Sequence, residues 1–281
     1  MRLSVAIAPA FLLYVLLYVL AFPAFAASRS EYDQCNQSKD PDASITACTR
    51  ILQASNETAH NRAVAYNNRG VANSAKGDYD RAIADYNEAI RLDPKDAFPF
   101  NNRGNAYRDK GDNDPAIADY NEAIRLDPKF AQAYLNRGRT NLYAGALPKA
   151  LADLNRASEL DPKHAYTALW LDIVNKRSNL PSRLAQATTQ IDMTKWPAPV
   201  IRLFLGQLTP EAVLAAADDP NPKTKNERVC GANFFGGIFV LQQGKKDDAA
   251  RLLRLAAMEC PKRFVEYHRA IDELNALGER P

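Results

Sequence analysis

Residues Ala82 to Lys95, AIADYNEAIRLDPK, recur unchanged from Ala116 to Lys129, an offset of 34 residues. No other feature of the chain limits its fold as strongly. A unit of that length is one helix–turn–helix pair, too small to bury its apolar face until a neighbour stacks on it. The expected fold class is therefore all-α, a superhelical solenoid of helical hairpins whose repeated surface holds other molecules.

Carrying the period outward gives three units at 63–96, 97–130 and 131–164. The first supplies Tyr66, Arg69, Gly70, Asn73, Ala82, Tyr86 and Pro94. The second supplies Phe100, Arg103, Gly104, Tyr107, Ala116, Tyr120 and Pro128, and the third Tyr134, Arg137, Gly138, Asn141, Ala150, Leu154 and Pro162. Gly70, Gly104 and Gly138 sit where the two helices of a pair cross closely, with Ala82, Ala116 and Ala150 opposite them. Asp93-Pro94, Asp127-Pro128 and Asp161-Pro162 stop the second helix, since a residue before proline avoids the helical region. Gly77, Gly111 and Gly145 fit the turn within each pair. In this spacing the chain resembles the tetratricopeptide repeat.

Beyond 164 the period breaks. Helical patterning continues through Ala165 to Lys176, Pro181 to Ile191, Pro197 to Leu205 and Pro210 to Ala217, and Asp218 to Lys225, with Pro220 and Pro222, reads as a linker closing an irregular region at 165–225. The register returns at 226–263 as a degenerate fourth repeat, in which Asn233, Gly237, Gly244, Ala249, Leu253, Ala256 and Pro261 take repeat positions. An amphipathic stretch at 264–281 is expected to cap the stack. LWLDIVNKRS, IRLFLGQLTPE, ANFFGGIFVLQQGKKDDAARLL and FVEYHRAIDEL, within 169–274, resemble the NlpI family of Gram-negative envelope lipoproteins. That resemblance implies a tetratricopeptide scaffold that docks peptidoglycan hydrolases and a processing protease, with a homodimer as one assembly. It also implies a lipid anchor, but Cys35 follows Tyr32, Asp33 and Gln34, which is no lipobox.

Two rows keep the period inside the repeats. Arg69, Arg103 and Arg137 stand where the repeat pattern has leucine, and Asp85, Asp119 and Asp153 follow sixteen residues later. Each arginine is expected to pair with the aspartate of its own unit as a structural ion pair. Asn68, Asn102 and Asn136 form the second row, on the first helices, which in tetratricopeptide superhelices line the concave groove. In some members resembling this sequence such a ladder bonds the backbone of an extended peptide, and an amide carries both the donor and the acceptor to do so. The same residues could equally bond only neighbouring carbonyls and helix ends. Helical spacing puts Asn67, Val71, Phe98, Asn101, Asn105, Arg108, Gln132, Leu135, Arg139 and Tyr143 on or near that face. Asn67, Val71 and Gln132 replace the Lys, Asn and Lys of chaperone-binding members, so that carboxylate clamp is not expected.

At the N-terminus, Leu3 to Ala27 carries no charge, and Ala24 and Ala26 fit an A-x-A cleavage site behind Pro23. Residues 1–26 therefore read as a signal peptide, and the remainder as a soluble periplasmic protein. Such a run is also long enough to serve as an uncleaved membrane anchor, the one route by which this chain would contact a membrane. Export places the four cysteines in an oxidising compartment. Cys230 opens the first helix of the degenerate repeat and Cys260 closes the second, so the hairpin brings them together; Cys35 and Cys48 flank the start of a helix expected over Asp42 to Leu52 in a cap segment at 27–62. With no C-x-x-C spacing and only His60, His164 and His268 for histidines, no metal and no cofactor are expected. A net charge of +3 with both signs interspersed gives no nucleic-acid tract. Trp170 and Trp196 fall in apolar patterns and read as core.

No nucleophile, catalytic dyad or phosphate-cradling loop stands in an activating context, so the chain is expected not to be an enzyme. The expected role is an adaptor that holds envelope proteins or extended peptides. The alternative is a permanent structural part of an envelope assembly or secretion complex, and a pocket with convergent titratable groups in the irregular region would instead point to catalysis.

Overall fold

In the computed structural model residues 27–262 and 264–280 are described, and the expected signal peptide lies outside them. Among these residues no helix is long and apolar enough to cross a membrane. They form a tetratricopeptide solenoid without strands. The three repeats are the pairs α3 (Ala59–Ala75) with α4 (Tyr79–Leu92), α5 (Ala97–Lys110) with α6 (Asn113–Leu126), and α7 (Ala131–Tyr143) with α8 (Leu147–Leu160). First helices touch one another along the stack, and each second helix packs on the next first helix.

The small residues do what their spacing requires. A Cβ placed on Gly104 would lie 2.7 Å from a ring carbon of Tyr120, and one on Gly70 would lie 2.6 Å from Tyr86. Only hydrogen lets the helices approach that far. Gly77, Gly111 and Gly145 close the hairpins with φ of 81°, 94° and 76°, the left-handed conformation that a side chain disfavours. Thr58, Asp78 and Asp96 cap the helices that follow them by accepting from backbone N–H groups of the first turn.

Ahead of the repeats, α2 (Pro41–Gln53) was expected and α1 (Arg29–Gln37) was not. A capping box between Ser28 and Glu31 starts α1. The Cys35–Cys48 disulfide then holds it on α2. Polar composition hid this helix, because Cys35 is its one buried residue.

After the repeats, α9 (Ala165–Arg177) stacks as a further first helix. Two expectations need correction here. The helix read over Pro181 to Ile191 is only α10 (Leu184–Ala187), because the Thr188 and Thr189 hydroxyls donate back to the carbonyls of Ala185 and Gln186 as the turn ends. The linker read over Asp218 to Lys225 is half helix: α13 (Pro222–Gln242) starts inside it, with Asn221 as N-cap and Pro222 at the first position, where proline costs no hydrogen bond. Between them lie α11 (Ala198–Phe204) and α12 (Pro210–Ala216), as expected.

The degenerate repeat is α13 with α14 (Lys246–Glu259). Gly237 crosses Leu253 as Gly138 crosses Leu154, Gly244 turns the hairpin at φ 79°, and the Cys230–Cys260 disulfide closes its open end. Trp170, Phe234 and Phe235, fully buried, centre the largest apolar core on this half of the molecule. The final helix, α15 (Val265–Leu277), packs on α14 and α13. It also folds back over the repeats, which a terminal cap need not do.

Candidate peptide-binding groove and its closed end

The expected ion pairs are all present. Arg103 donates to both Asp119 oxygens at 2.8 and 2.6 Å, Arg137 to Asp153 at 3.0 and 2.6 Å, and Arg69 to Asp85 at 2.7 Å. Each guanidinium also lies over the ring three residues before it, Tyr66, Phe100 or Tyr134. Its remaining arm reaches the preceding second helix, at Thr49, Asn87 or Asn121. One arginine therefore ties three helices together. These residues build the scaffold, their charged groups bonded within the protein.

The asparagine row forms a relay that the sequence did not disclose. Asn136 donates to Asn101 at 2.9 Å, Asn101 to Asn102 at 3.3 Å, and Asn102 to Asn67 at 3.0 Å. Asn67 donates onward to Asn68 at 3.3 Å, and Asn68 to Asn36 of α1 at 2.6 Å. Each amide spends one N–H and its oxygen on neighbours, leaving the second N–H. Of the three ladder residues, Asn136 is buried at 1 % exposure, and Asn101 is buried beside it. Their amides are committed inside the protein, so the expectation that Asn136 and Asn101 face a peptide is corrected. Asn67, Asn68 and Asn102 keep partial exposure.

Phe98 and Val71 supply the accessible apolar surface, at 59 % and 45 % exposure. Phe98 stands against Phe130, with ring centroids 5.0 Å apart. This end of the inner face is open. Asn105 is half-buried, accepting from Tyr120 and Arg108 at 3.0 Å each.

Towards α7 the inner face is closed by α15. Tyr79, at the start of α4, meets His268 of α15 and the carbonyl of Lys262. Arg269 lies 4.5 Å over the Tyr143 ring, Arg177 stands near the same ring, and Arg177 pairs with Glu273. Tyr143, expected to line the groove, is thus enclosed between two guanidinium groups, and burial raises its hydroxyl well above the usual tyrosine range. Arg108 is also buried, its charge met by Asp109 at 2.8 Å. The expectation that Arg108 and Tyr143 lie open in the groove is corrected: Arg108 is buried and bonded to Asp109 and Asn105, and Arg269 of α15 covers the Tyr143 ring.

A cavity of about 560 Å³ lies in the closed part, where α7 and the start of α9 face the first turns of α13 and α15. Arg139, His164, Tyr166, Trp196, Arg228 and Glu266 line it. Trp196 was expected in the core; it is instead half-buried, its indole N–H donating to the Tyr166 hydroxyl at 3.2 Å, whereas Trp170 is core as expected. Burial lowers His164 and raises Glu266 from their ordinary values. Burial, reinforced by the charge of Arg108, brings Arg139 down to about 10. Among these residues the sequence pointed only to Arg139 as a contact. The others come from segments distant in the chain, and neither periodicity nor spacing joins them.

Comparison with known proteins agrees with the repeat period. Residues 63–96 match the tetratricopeptide repeat, and residues 104–142 match a second profile described as TPR repeat. Tetratricopeptide repeats are protein–protein interaction modules. No curated protein matches the chain. Among solved structures, pilF of Pseudomonas aeruginosa is 15 % identical over 83 % of this chain and 90 % of its own, with a TM-score of 0.48. YrrB, described as a TPR protein with an unusual peptide-binding site, is 18 % identical over 80 % of this chain and 98 % of its own, with a TM-score of 0.43. The first TPR of Spaghetti (RPAP3), bound to the HSP90 peptide SRMEEVD, is 26 % identical over 43 % of this chain and 95 % of its own, with a TM-score of 0.42.

Proposed function

We propose that this protein is an adaptor of the bacterial envelope, binding an extended segment of a partner protein along the open part of its inner face and doing no chemistry itself. The observation that carries this reading is the exposed Phe98 beside Val71, Asn68 and Asn102 on consecutive first helices. A solvated phenylalanine next to amides with spare donors offers an apolar anchor and backbone hydrogen bonds together. The N-terminal apolar run and two disulfides support export to the periplasm, with residues 1–26 removed. The resemblance to NlpI suggests peptidoglycan hydrolases or a processing protease as the partners to be recruited, and homodimerisation as the assembly to examine.

The test uses residues 27–281 with both disulfides formed, as bait in a periplasmic extract, alongside Phe98→Ala and Asn68→Ala. Partners retained by the parent and lost from both variants support the groove as the contact surface. Identical capture by all three removes it. Partners that arrive in fixed stoichiometry and resist dissociation would favour the permanent structural component instead.

A further inference from the structure

Arg139 is the arginine on the cavity wall to which the described residues bring no carboxylate into contact: Glu266 across the cavity and Asp109 act on its charge only from further away. It is 9 % exposed, donates to Asn136, and stacks 5.9 Å from Trp170. Its Nε has no hydrogen-bond partner, and no carboxylate of the described residues stands at ion-pair distance. Its neighbours are answered: Arg108 by Asp109, Arg228 by Asp219 at 3.0 Å, and Arg177 by Glu273. Leaving a buried guanidinium donor unmet costs about 1–3 kcal/mol, more when the group is charged. A fold that puts a carboxylate in contact with each neighbouring cation, and gives this one only an amide and more distant acids, has room for an outside acceptor. At about 560 Å³ the cavity falls within the span of small-ligand sites.

The rest of the wall narrows the chemistry. A planar carboxylate matches the guanidinium fork better than any other common anion of a protein partner. Opposite it, Glu266 offers an acceptor for a neighbouring N–H, and Trp196, Tyr166 and Phe264 offer an apolar surface. Carboxylate, adjacent N–H and apolar side chain occur together in a peptide. We infer that this cavity is a second, anchoring subsite of the proposed groove, binding a peptide carboxylate at Arg139 with the adjoining apolar side chain against Trp196 and Tyr166. This inference rests on the adaptor reading. The carboxylate comes either from the peptide's C-terminus or from an acidic side chain.

Four probes separate these sources: Ac-Ala-Leu-Glu-Ala-NH2, Ac-Ala-Leu-Gln-Ala-OH, the uncharged Ac-Ala-Leu-Gln-Ala-NH2, and an immobilised library of neutral amidated dodecapeptides. Binding of the tetrapeptides is followed by calorimetry and by Trp fluorescence on the disulfide-intact chain. At least one acidic tetrapeptide should bind about tenfold or more tightly than the uncharged one, and which one does identifies the source. Arg139→Gln should abolish that preference. Thr224→Trp, which fills the cavity mouth from the first turn of α13 and leaves the Arg139 contacts untouched, should abolish binding of both acidic probes. Melting curves of both variants verify folding, and Thr224→Trp decides the matter if Arg139→Gln unfolds. Equal binding of the charged and uncharged tetrapeptides, or no binding of either, overturns the subsite. If the library still binds and Phe98→Ala abolishes that binding, the adaptor reading survives the loss of the subsite. If the library is also silent, both fall.

Discussion

Asp119 accepts both arms of Arg103 at a position 6 % exposed, so its charge cannot be returned to water when the pair is broken. Asp119→Asn keeps the shape but leaves the guanidinium with a neutral partner. Allowing for the partly exposed arginine, the loss should be about 2–3 kcal/mol by urea unfolding, and Arg103→Ala should cost a similar amount while also freeing Asn87. A surface pair such as Arg91 with Glu88, both largely exposed, should change stability by less than about 1 kcal/mol. Glycines make a sharper contrast. Gly104→Ala pushes a methyl against Tyr120 and should destabilise by about 1–3 kcal/mol. In Gly231→Ala the added atom first meets Trp196 at 3.4 Å across the cavity, so the helix propensity gained should make it neutral or stabilising by up to about 1 kcal/mol. Loss of stability in both variants to the same degree would show that crossing distance does not govern these sites.

At the scale of helices, each disulfide fastens an element that packing alone holds weakly. The Cys230–Cys260 bridge spans 30 residues and closes the degenerate hairpin beside the cavity, between Arg228 and Gly231 on one wall and Phe264 to Glu266 on the other. Replacing both cysteines by Ala should cost about 3–4 kcal/mol on chain-entropy grounds, against about 3 kcal/mol for the shorter Cys35–Cys48 loop. Hydrogen exchange should rise in α13, α14 and α15 in the first variant and in α1 and α2 in the second. Uniform acceleration across the repeats in either case would contradict so local a role. The Cys35–Cys48 pairing was legible in the sequence because the two cysteines flank the start of one short helix, and the Cys230–Cys260 pairing because a hairpin of known period brings its ends together. The three repeats were legible for the same reason, down to the arginine–aspartate register. What failed were elements whose signals lie outside periodicity: α1 shows one buried residue, and α13 begins at a proline that reads equally as linker or first helical turn. The asparagine relay also escaped, since spacing placed the amides on one face but said nothing of their bonding to one another.

Across the whole molecule, the contact of Tyr79 with His268 joins residues 189 apart and turns an open stack into a closed one. A solenoid normally couples nearest neighbours only. Here the last helix touches the first repeat, so acid should act on the whole fold through this contact. His268 is held below its ordinary value of 6.5, first by burial, with Arg269 and Arg108 adding to the effect and Asp109 opposing it; His164 is lowered by burial too. The unfolded chain therefore takes up these protons first, and the stability they contribute is present above pH 6.5 and lost as pH falls below it. Glu266, Asp172 and Asp272 are raised by burial and work in the opposite direction, since the folded chain keeps their protons to higher pH. Their effect centres on the more acidic carboxylate range, which leaves the histidines dominant just below neutrality. The melting temperature should thus fall from about pH 7.5 to 5.5, by roughly 2–4 °C for each kcal/mol lost in a chain of this size. His268→Gln, which retains a polar group opposite Tyr79 but does not titrate, should flatten that slope. An unchanged slope would mean that closure by α15 is not what acid loosens. Tyr79→Phe is the companion test, removing the hydroxyl and leaving the proton-binding group in place.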